Sequence, residues 1–189
     1  MVSEEVLDAN PGDRARAAAD AFGDDELTSW CADLLAGRVR WGSPTRPDVG
    51  WIGGRQAATW GSPQRLHGDT AYWAKVWAAR SLLYVWSPAC VSDVVATLHD
   101  PAWRVREMCC KVAARWELEP AAGTCLDLVT DETTPRVRAA AVRVLGAVGE
   151  AEHSDGIRSA LEDENEAVRE AAERALTHLE TRLDRTLRR

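Results

Sequence analysis

The most informative segment of this 189-residue chain reads Pro135-Arg-Val-Arg-Ala-Ala-Ala-Val-Arg-Val-Leu-Gly146. When Val137 is taken as position zero, apolar residues fall at positions 0, 3, 4, 7, 8 and 11. This is the stripe of an amphipathic helix with one buried face. The same stripe begins again at Val105 and at Val168. The segment therefore predicts one helix of a unit that recurs along the chain.

Each unit also carries an acidic residue at a regular place. Aspartates recur at intervals of 31, 31 and 32 residues, and a basic residue follows each after six or seven positions. The acids are Asp69, Asp100, Asp131 and Asp163, and the bases are Lys75, Arg106, Arg138 and Arg169. A shorter apolar pattern precedes the last three of these acids. Each unit is therefore predicted to be helix, acid-containing turn, helix, and the period is typical of stacked repeats.

The pattern Asp-x-x-x-x-Val-Arg-x-x-Ala-x-x-x-Leu resembles HEAT repeats, in particular the short class called PBS-lyase HEAT-like. The resemblance covers residues 88–179 and extends to 69–86 if Ala74 takes position zero. It implies an all-α fold, a short right-handed α-solenoid of helix-turn-helix repeats with an irregular Trp/Gly/Pro-rich N-terminal segment. It also implies that the periodic acids and bases form a structural ladder between adjacent repeats instead of a catalytic set.

Composition shifts divide the chain into segments. Gly and Pro interrupt residues 40–68, where they oppose a regular helix. The predicted segments are a flexible N-terminus at 1–12, a helical pair at 13–37, an irregular loop or cap at 38–68, repeats at 69–183 in units near 69–99, 100–130, 131–162 and 163–183, and a flexible tail at 184–189. The irregular segment is interpreted either as a lid over a groove or as a cap on the exposed end of the repeats.

Several functional classes are disfavoured by composition. The chain starts without the basic and apolar segments of a signal peptide, and no apolar run approaches the length of a membrane span. Five cysteines without a C-x-x-C pair argue against a disulfide framework and indicate a reducing cytoplasm. The four histidines lack ligand spacing, so no metal site and no cofactor are expected.

Charge and tryptophan are concentrated in the middle of the chain. The formal net charge is −7, but residues 41–116 hold nine basic and five acidic residues together with eight of the nine tryptophans. The overall sign disfavours a nucleic-acid partner, whereas the local excess of positive charge favours an acidic one.

In HEAT-like solenoids the second helix of each repeat lines the concave surface. Positions 2, 5, 6 and 9 face away from the predicted buried stripe and should line this groove. Position 6 is basic in every unit, which gives the column Arg80, Lys111, Arg143 and Arg174. The column predicts a site for an acidic partner, or else a solvated face with intrahelical pairs such as Glu107–Lys111 and Glu170–Arg174.

The predicted function is a binding or scaffold module, since no nucleophile–base pair or carboxylate dyad stands out. Its predicted binding residues are Trp51, Trp60, Trp73, Val76, Arg80, Trp103, Lys111 and Arg143. The expected partner is another protein, with an acidic segment as the candidate ligand. Two alternatives stay open: an enzyme similar to the HEAT-like alkylpurine DNA glycosylases, using Trp73, Trp77 and Asp69, and a small-molecule site beside the Trp-rich segment.

Overall fold

The computed structural model describes residues 2–40, 43, 45–60, 70–184 and 186, without the side chains of residues 58–60. All regular secondary structure in these ranges is helical, which confirms the all-α prediction. The chain forms two compact units, Met1–Thr97 and Leu98–Arg189.

The first unit is built from helices of unequal length. They are α1 (Glu4–Asp8), α2 (Pro11–Phe22), α3 (Asp24–Ala36), α4 (Gly50–Trp60), α5 (Trp73–Ser81) and α6 (Val91–Ala96). Helix α5 packs against α2, α3 and α4, and α3 also packs against α6. Trp30 and Trp77 are each 1% exposed, so two large indole rings fill the interior of this unit.

Within residues 1–12, for which the sequence predicts a flexible segment, the structure has α1 and the first residues of α2. Helix α1 begins at a Ser3 cap, whose side chain accepts a hydrogen bond from the Val6 amide. The Asn10 side chain caps α2, with Pro11 at the first helical position. Arg55 of α4 binds the Glu4 carboxylate at 2.8 Å and the Asp8 carboxylate at 2.6 Å. Local caps and these ion pairs therefore order the start of the chain.

The expectation of an irregular segment across residues 38–68 is wrong for residues 50–60, which form α4. The helix changes direction at Gly54, where φ is 65°. A Cβ on Gly53 would lie 2.7 Å from the Trp77 ring, and one on Gly54 would lie 2.3 Å from Arg14 Nη1. The glycine pair therefore permits α4 to pack closely against Arg14 of α2 and Trp77 of α5. Residues 61–69, including Asp69, lie outside the described residues.

The second unit contains the repeated helices in two layers. They are α7 (Trp103–Arg115), α8 (Ala122–Asp131), α9 (Pro135–Val148), α10 (Ser154–Ser159) and α11 (Glu166–Leu183). Helices α7, α9 and α11 pack side by side in one layer, and α8 and α10 form the other. A Cβ on Gly146 would meet Ala175 at 2.8 Å, so this glycine lets α9 and α11 approach closely.

Three turns of the second unit share one hydrogen-bond arrangement. A carboxylate accepts from the amide two residues later in each turn, and these turn acids are Asp100, Glu132 and Asp163. The assignment of Asp131 to the ladder was wrong by one residue, because Asp131 is the exposed last residue of α8 and Glu132 occupies the turn. The acid that precedes Arg138 by six positions is thus a glutamate.

An arginine of the following helix connects each turn acid to its surroundings. Arg138 Nη1 donates to the carbonyl oxygens of Glu132 and Thr133 in its own turn, at 2.9 and 3.2 Å. Its Nε and Nη2 donate to the Asp163 carboxylate of the next turn, at 2.7 and 2.9 Å. Arg106 binds its own turn and Glu132 in the same way. Arg169 donates to the two carbonyls of its own turn.

The predicted groove positions are mostly buried in α5, α7 and α9. Val76, Cys110 and Val142 are at most 2% exposed, and Gly146 is buried against α11. In the second unit the reason is that a middle helix such as α9 contacts a neighbour on each side, so its buried face is wider than a single stripe. Position 6 is buried in none of these three helices, and position 9 is half-buried at Leu83 and Ala114. In α11 the corresponding residues, Glu170, Glu173, Arg174 and Thr177, are all exposed.

The ion pair between successive turns should contribute strongly to stability. Arg138→Gln removes a side chain that is 10% exposed and leaves the Asp163 carboxylate, 11% exposed, without its cation. We expect a loss of about 3 kcal/mol in the free energy of unfolding, measured by urea denaturation. Arg169→Gln is the matched control, because it removes the same carbonyl bonds without an ion pair to a further turn. Equal losses in both variants would contradict the role of the ion pair.

The same pair should make stability depend on pH. The hydrogen bond from Arg138 lowers the pKa of Asp163 below its usual 3.8, although partial burial opposes the shift. A carboxyl group with a lowered pKa stabilises the folded state above its unfolded pKa, and this contribution disappears as the pH falls through the folded pKa. The stability difference between wild type and Asp163→Asn should therefore be constant well above the unfolded pKa of about 3.9 and shrink as the pH falls below it. A stability difference that does not shrink on acidification, measured by urea denaturation, would contradict the role of the ion pair.

Candidate binding groove

Three of the residues predicted to bind a partner meet in one open groove of the second unit. The groove has a volume of about 600 Å³ and lies along α7, α9 and the start of α11. Its aromatic and charged residues, which define the basic groove, are Trp103, Glu107, Lys111, Arg136 and Arg143. Three of these side chains are basic and one is acidic, so the basic groove carries a net positive charge.

Helical spacing places these residues on facing surfaces. Trp103, Glu107 and Lys111 follow one another at intervals of four along α7 and therefore share one face. Arg136 and Arg143 stand seven residues apart on α9, which is close to two turns. The packing of α7 against α9 brings the two rows to opposite sides of the groove.

A buried carboxylate organises the cations of the basic groove. The Glu107 side chain is 8% exposed, and its Oε1 accepts hydrogen bonds from Lys111 Nζ at 2.8 Å and Arg136 Nε at 3.2 Å. Arg136 Nη2 lies 3.1 Å from the same oxygen. One acid thus holds a lysine and an arginine from two helices beside each other, with their remaining donors directed away from it.

Trp103 provides an aromatic surface at the end of the groove. The guanidinium of Arg104 lies over its ring at 4.2 Å from the centroid, and that of Arg136 lies at 5.6 Å. Both distances are in the range of cation–π attraction. Arg136 therefore contacts both the indole of Trp103 and the carboxylate of Glu107, which restricts its conformations.

Arg143 differs from its neighbours in the basic column. It is exposed and forms no hydrogen bond or ion pair with any described residue. Both predicted intrahelical pairs are present, Glu107–Lys111 at 2.8 Å and Glu170–Arg174 at 3.4 Å. The alternative of a solvated face with intrahelical pairs therefore describes Lys111 and Arg174, whereas Arg143 remains available to an external anion.

The other predicted binding residues lie in the first unit. Val76 is 2% exposed, so the expectation that it contacts a partner is wrong; it packs in the core of that unit. Trp51 is half-buried with its ring 5.1 Å from that of Phe22, edge to face. Trp73 lies between Tyr72 and Trp77, with centroid distances of 5.4 and 6.1 Å. Arg80 is half-buried, and the Trp60 side chain is not among those described.

Sequence reasoning missed Arg136, which contacts both Trp103 and Glu107. The residue stands one position before the apolar stripe, where the flanking units have Arg104 and Ala167. Its spacing of seven residues from Arg143 was the signal that could have identified it, because residues two turns apart share a face.

A larger cavity of about 940 Å³ lies between the α10 region and α11. Its basic residues include Arg158 and Arg174, which pair with Asp155 and Glu170. Its other side chains include Glu162, Glu173 and His178, and no tryptophan is among them. The cavity therefore offers neither an unpaired cation nor a large aromatic contact, so its greater volume does not make it the better site.

The described residues include no group of three or more His, Cys, Asp or Glu side chains arranged to hold a metal ion. All five cysteines are free and buried. Burial, with the neighbouring Cys90, raises the pKa of Cys31. A hydrogen bond with Cys125, together with burial, raises the pKa of Cys110. These two thiols stay protonated at neutral pH and are poor nucleophiles. None of the helices in the described ranges combines the length and apolar character needed to cross a membrane.

Comparison with known proteins identifies part of the chain. Residues 124–187, which span α9, α10 and α11 and most of α8, match the family model of HEAT repeats. Neither a curated protein nor a solved structure matches the chain.

The central carboxylate should matter for the stability of the second unit. Glu107→Gln leaves Lys111 and Arg136 beside each other without their shared anion. We expect the free energy of unfolding to fall by about 1–2 kcal/mol, since both cations are partly exposed to water. Glu170→Gln removes an exposed i,i+4 partner and should change stability by less than about 0.5 kcal/mol. Both variants are measured by urea denaturation. Equal free energies of unfolding for Glu107→Gln and Glu170→Gln would contradict the central role of Glu107.

Proposed function

We propose that this chain, whose residues 124–187 match the family model of HEAT repeats, is a protein-interaction module that binds an acidic segment of a partner protein in the basic groove. HEAT repeats commonly mediate protein interaction or scaffolding through extended surfaces between stacked helices. The observation that carries the proposal is Arg143, an exposed arginine without an ion pair to a described residue, beside two cations that Glu107 holds in place.

The chemistry of the groove favours a carboxylate-rich ligand. Arginine presents fixed pairs of donors that match a carboxylate, and Arg143 and Arg136 offer such donors from one helix. Trp103 adds a large apolar contact, and tryptophan and arginine are the residues that contribute most to protein interfaces. A peptide with acidic residues next to an apolar one would use all three.

A nucleic-acid partner has less support. The formal net charge of −7 repels phosphate groups, and the basic groove has three cations, two of which share Glu107. For the glycosylase-like alternative, Trp77 is 1% exposed and cannot stack on a base, while Asp69 lies outside the described residues. The groove volume would also suit a small molecule, and the three cations in its lining would then favour an anionic one.

The compartment proposed for this activity is the cytoplasm. All five cysteines are free thiols, and such thiols persist in reducing compartments.

The proposal can be tested by selecting 12-residue peptides from a random displayed library on the full-length protein. We expect acidic peptides to be enriched, and their binding to weaken with added NaCl because the attraction is electrostatic. Arg143→Glu should weaken binding at least about tenfold, since it replaces attraction by repulsion. The measurement is fluorescence anisotropy of the selected peptides.

Arg174→Glu is the matched control, because Arg174 occupies the equivalent position on α11 but does not line the basic groove. It makes the same change of charge and should keep most of the affinity. The proposal would be contradicted by selected peptides without acidic residues, or by equal affinities of wild type and Arg143→Glu.

A further inference from the structure

The first unit contains two arginines that pair with no acid among the described residues, and one of them, Arg14, is 7% exposed. We propose that Arg14 and Arg80 form a binding site for a small oxyanion, a phosphate or carboxylate group. The site is independent of the basic groove, since all residues that define it belong to the first unit.

Arg14 is held in a fixed orientation. Its residue is 7% exposed, and Nη1 donates to the Ala9 carbonyl oxygen at 2.6 Å and to that of Leu7 at 3.4 Å. The absence of a side chain at Gly54 provides space for this guanidinium, because a Cβ there would lie 2.3 Å from Nη1. The carbonyls of the α1 end and the glycine therefore fix one edge of the guanidinium.

The other edge of Arg14 forms no hydrogen bond with the described part of the chain. Nε is buried and makes no hydrogen bond, and Nη2 donates to no described residue. These two nitrogens form the edge with which arginine binds carboxylate or phosphate through two parallel hydrogen bonds. An unsatisfied buried donor is unfavourable, so an oxyanion at this edge would remove a penalty that the ligand-free protein bears.

Arg80, in the last turn of α5, adds a second uncompensated charge. It is half-buried and forms no hydrogen bond or ion pair with a described residue. Burial, followed by the positive charge of Arg80, lowers the pKa of Arg14. Helix α2, which carries Arg14, packs against α5, which carries Arg80, so the two cations lie on neighbouring helices and repel each other.

None of the acids on α1 and α2 forms a described ion pair with Arg14, and three of them bind other cations. Glu4 and Asp8 of α1 pair with Arg55, and Asp13 of α2 pairs with Arg16. The Asn10 side chain accepts hydrogen bonds from the Gly12 and Asp13 amides at the start of α2. These amides are therefore not available to an anion, and the proposed site consists of the Arg14 and Arg80 side chains. An external anion would therefore supply the counter-charge that this region lacks.

The test measures thermal unfolding of the full-length protein in sodium phosphate, sodium acetate and sodium chloride at equal ionic strength. We expect phosphate or acetate to raise the unfolding temperature by about 4 °C over chloride at roughly ten times its Kd. A response to phosphate alone would identify phosphate ligands, and a response to acetate would identify carboxylates. No response to either anion beyond chloride would overturn the proposal.

Variants separate this site from a structural role. Arg80→Gln should abolish the anion response, yet in chloride it should unfold at or above the wild-type temperature because it removes the repulsion. Arg16→Gln is the control, since Arg16 is exposed and already paired, and it should keep the full response. The proposal fails if Arg80→Gln keeps the response, or if it unfolds below the wild-type temperature in chloride.

Discussion

The second unit depends on an arginine that joins two consecutive turns. One edge of the Arg138 guanidinium holds the carbonyl oxygens of its own turn, and the rest of the group holds the carboxylate of the next turn. A planar guanidinium with five donors in fixed directions can bind the carbonyls and the carboxylate at the same time. The single ammonium group of a lysine cannot reach both sets of acceptors. The arginine thereby fixes the position of its helix relative to the next turn. Since α7 and α9 are set in this way, residues far apart in sequence converge on the basic groove.

The two kinds of arginine in this unit have separate tasks. Arg106 and Arg138 are largely buried and fully engaged in backbone and ion-pair contacts, so they are unavailable to a ligand. Arg136 and Arg143 emerge from the opposite edge of the same layer of helices and keep donors accessible. The rigidity supplied by the first pair allows the second to present charge at fixed positions, and a preorganised surface loses less entropy on binding.

The helices of the repeats were predictable because their apolar period follows directly from burial against neighbours. The assignment of Asp131 failed because two adjacent acids satisfy nearly the same spacing, and only the hydrogen bond to the Thr134 amide distinguishes Glu132. Gly53 and Gly54 were interpreted as residues that oppose a helix. The sequence does not show that they instead make room for Trp77 and Arg14 while the helix continues beyond a change of direction at Gly54. Val76 was placed on the surface because a single helix reveals one apolar stripe, whereas α5 contacts three other helices.

Glu107 has a consequence for which ligands the basic groove can accept. The fold holds its carboxylate beside Lys111 and Arg136, so a carboxylate of a ligand must compete with Glu107 for these two cations. A ligand with one acid would therefore engage Arg143 and leave the other two cations as they are. A ligand with several closely spaced acids could bind at Arg143 first and then exchange with Glu107 from a tethered position of its own. If the basic groove binds the acidic partner proposed above, it would therefore discriminate between ligands by the number and spacing of their negative charges.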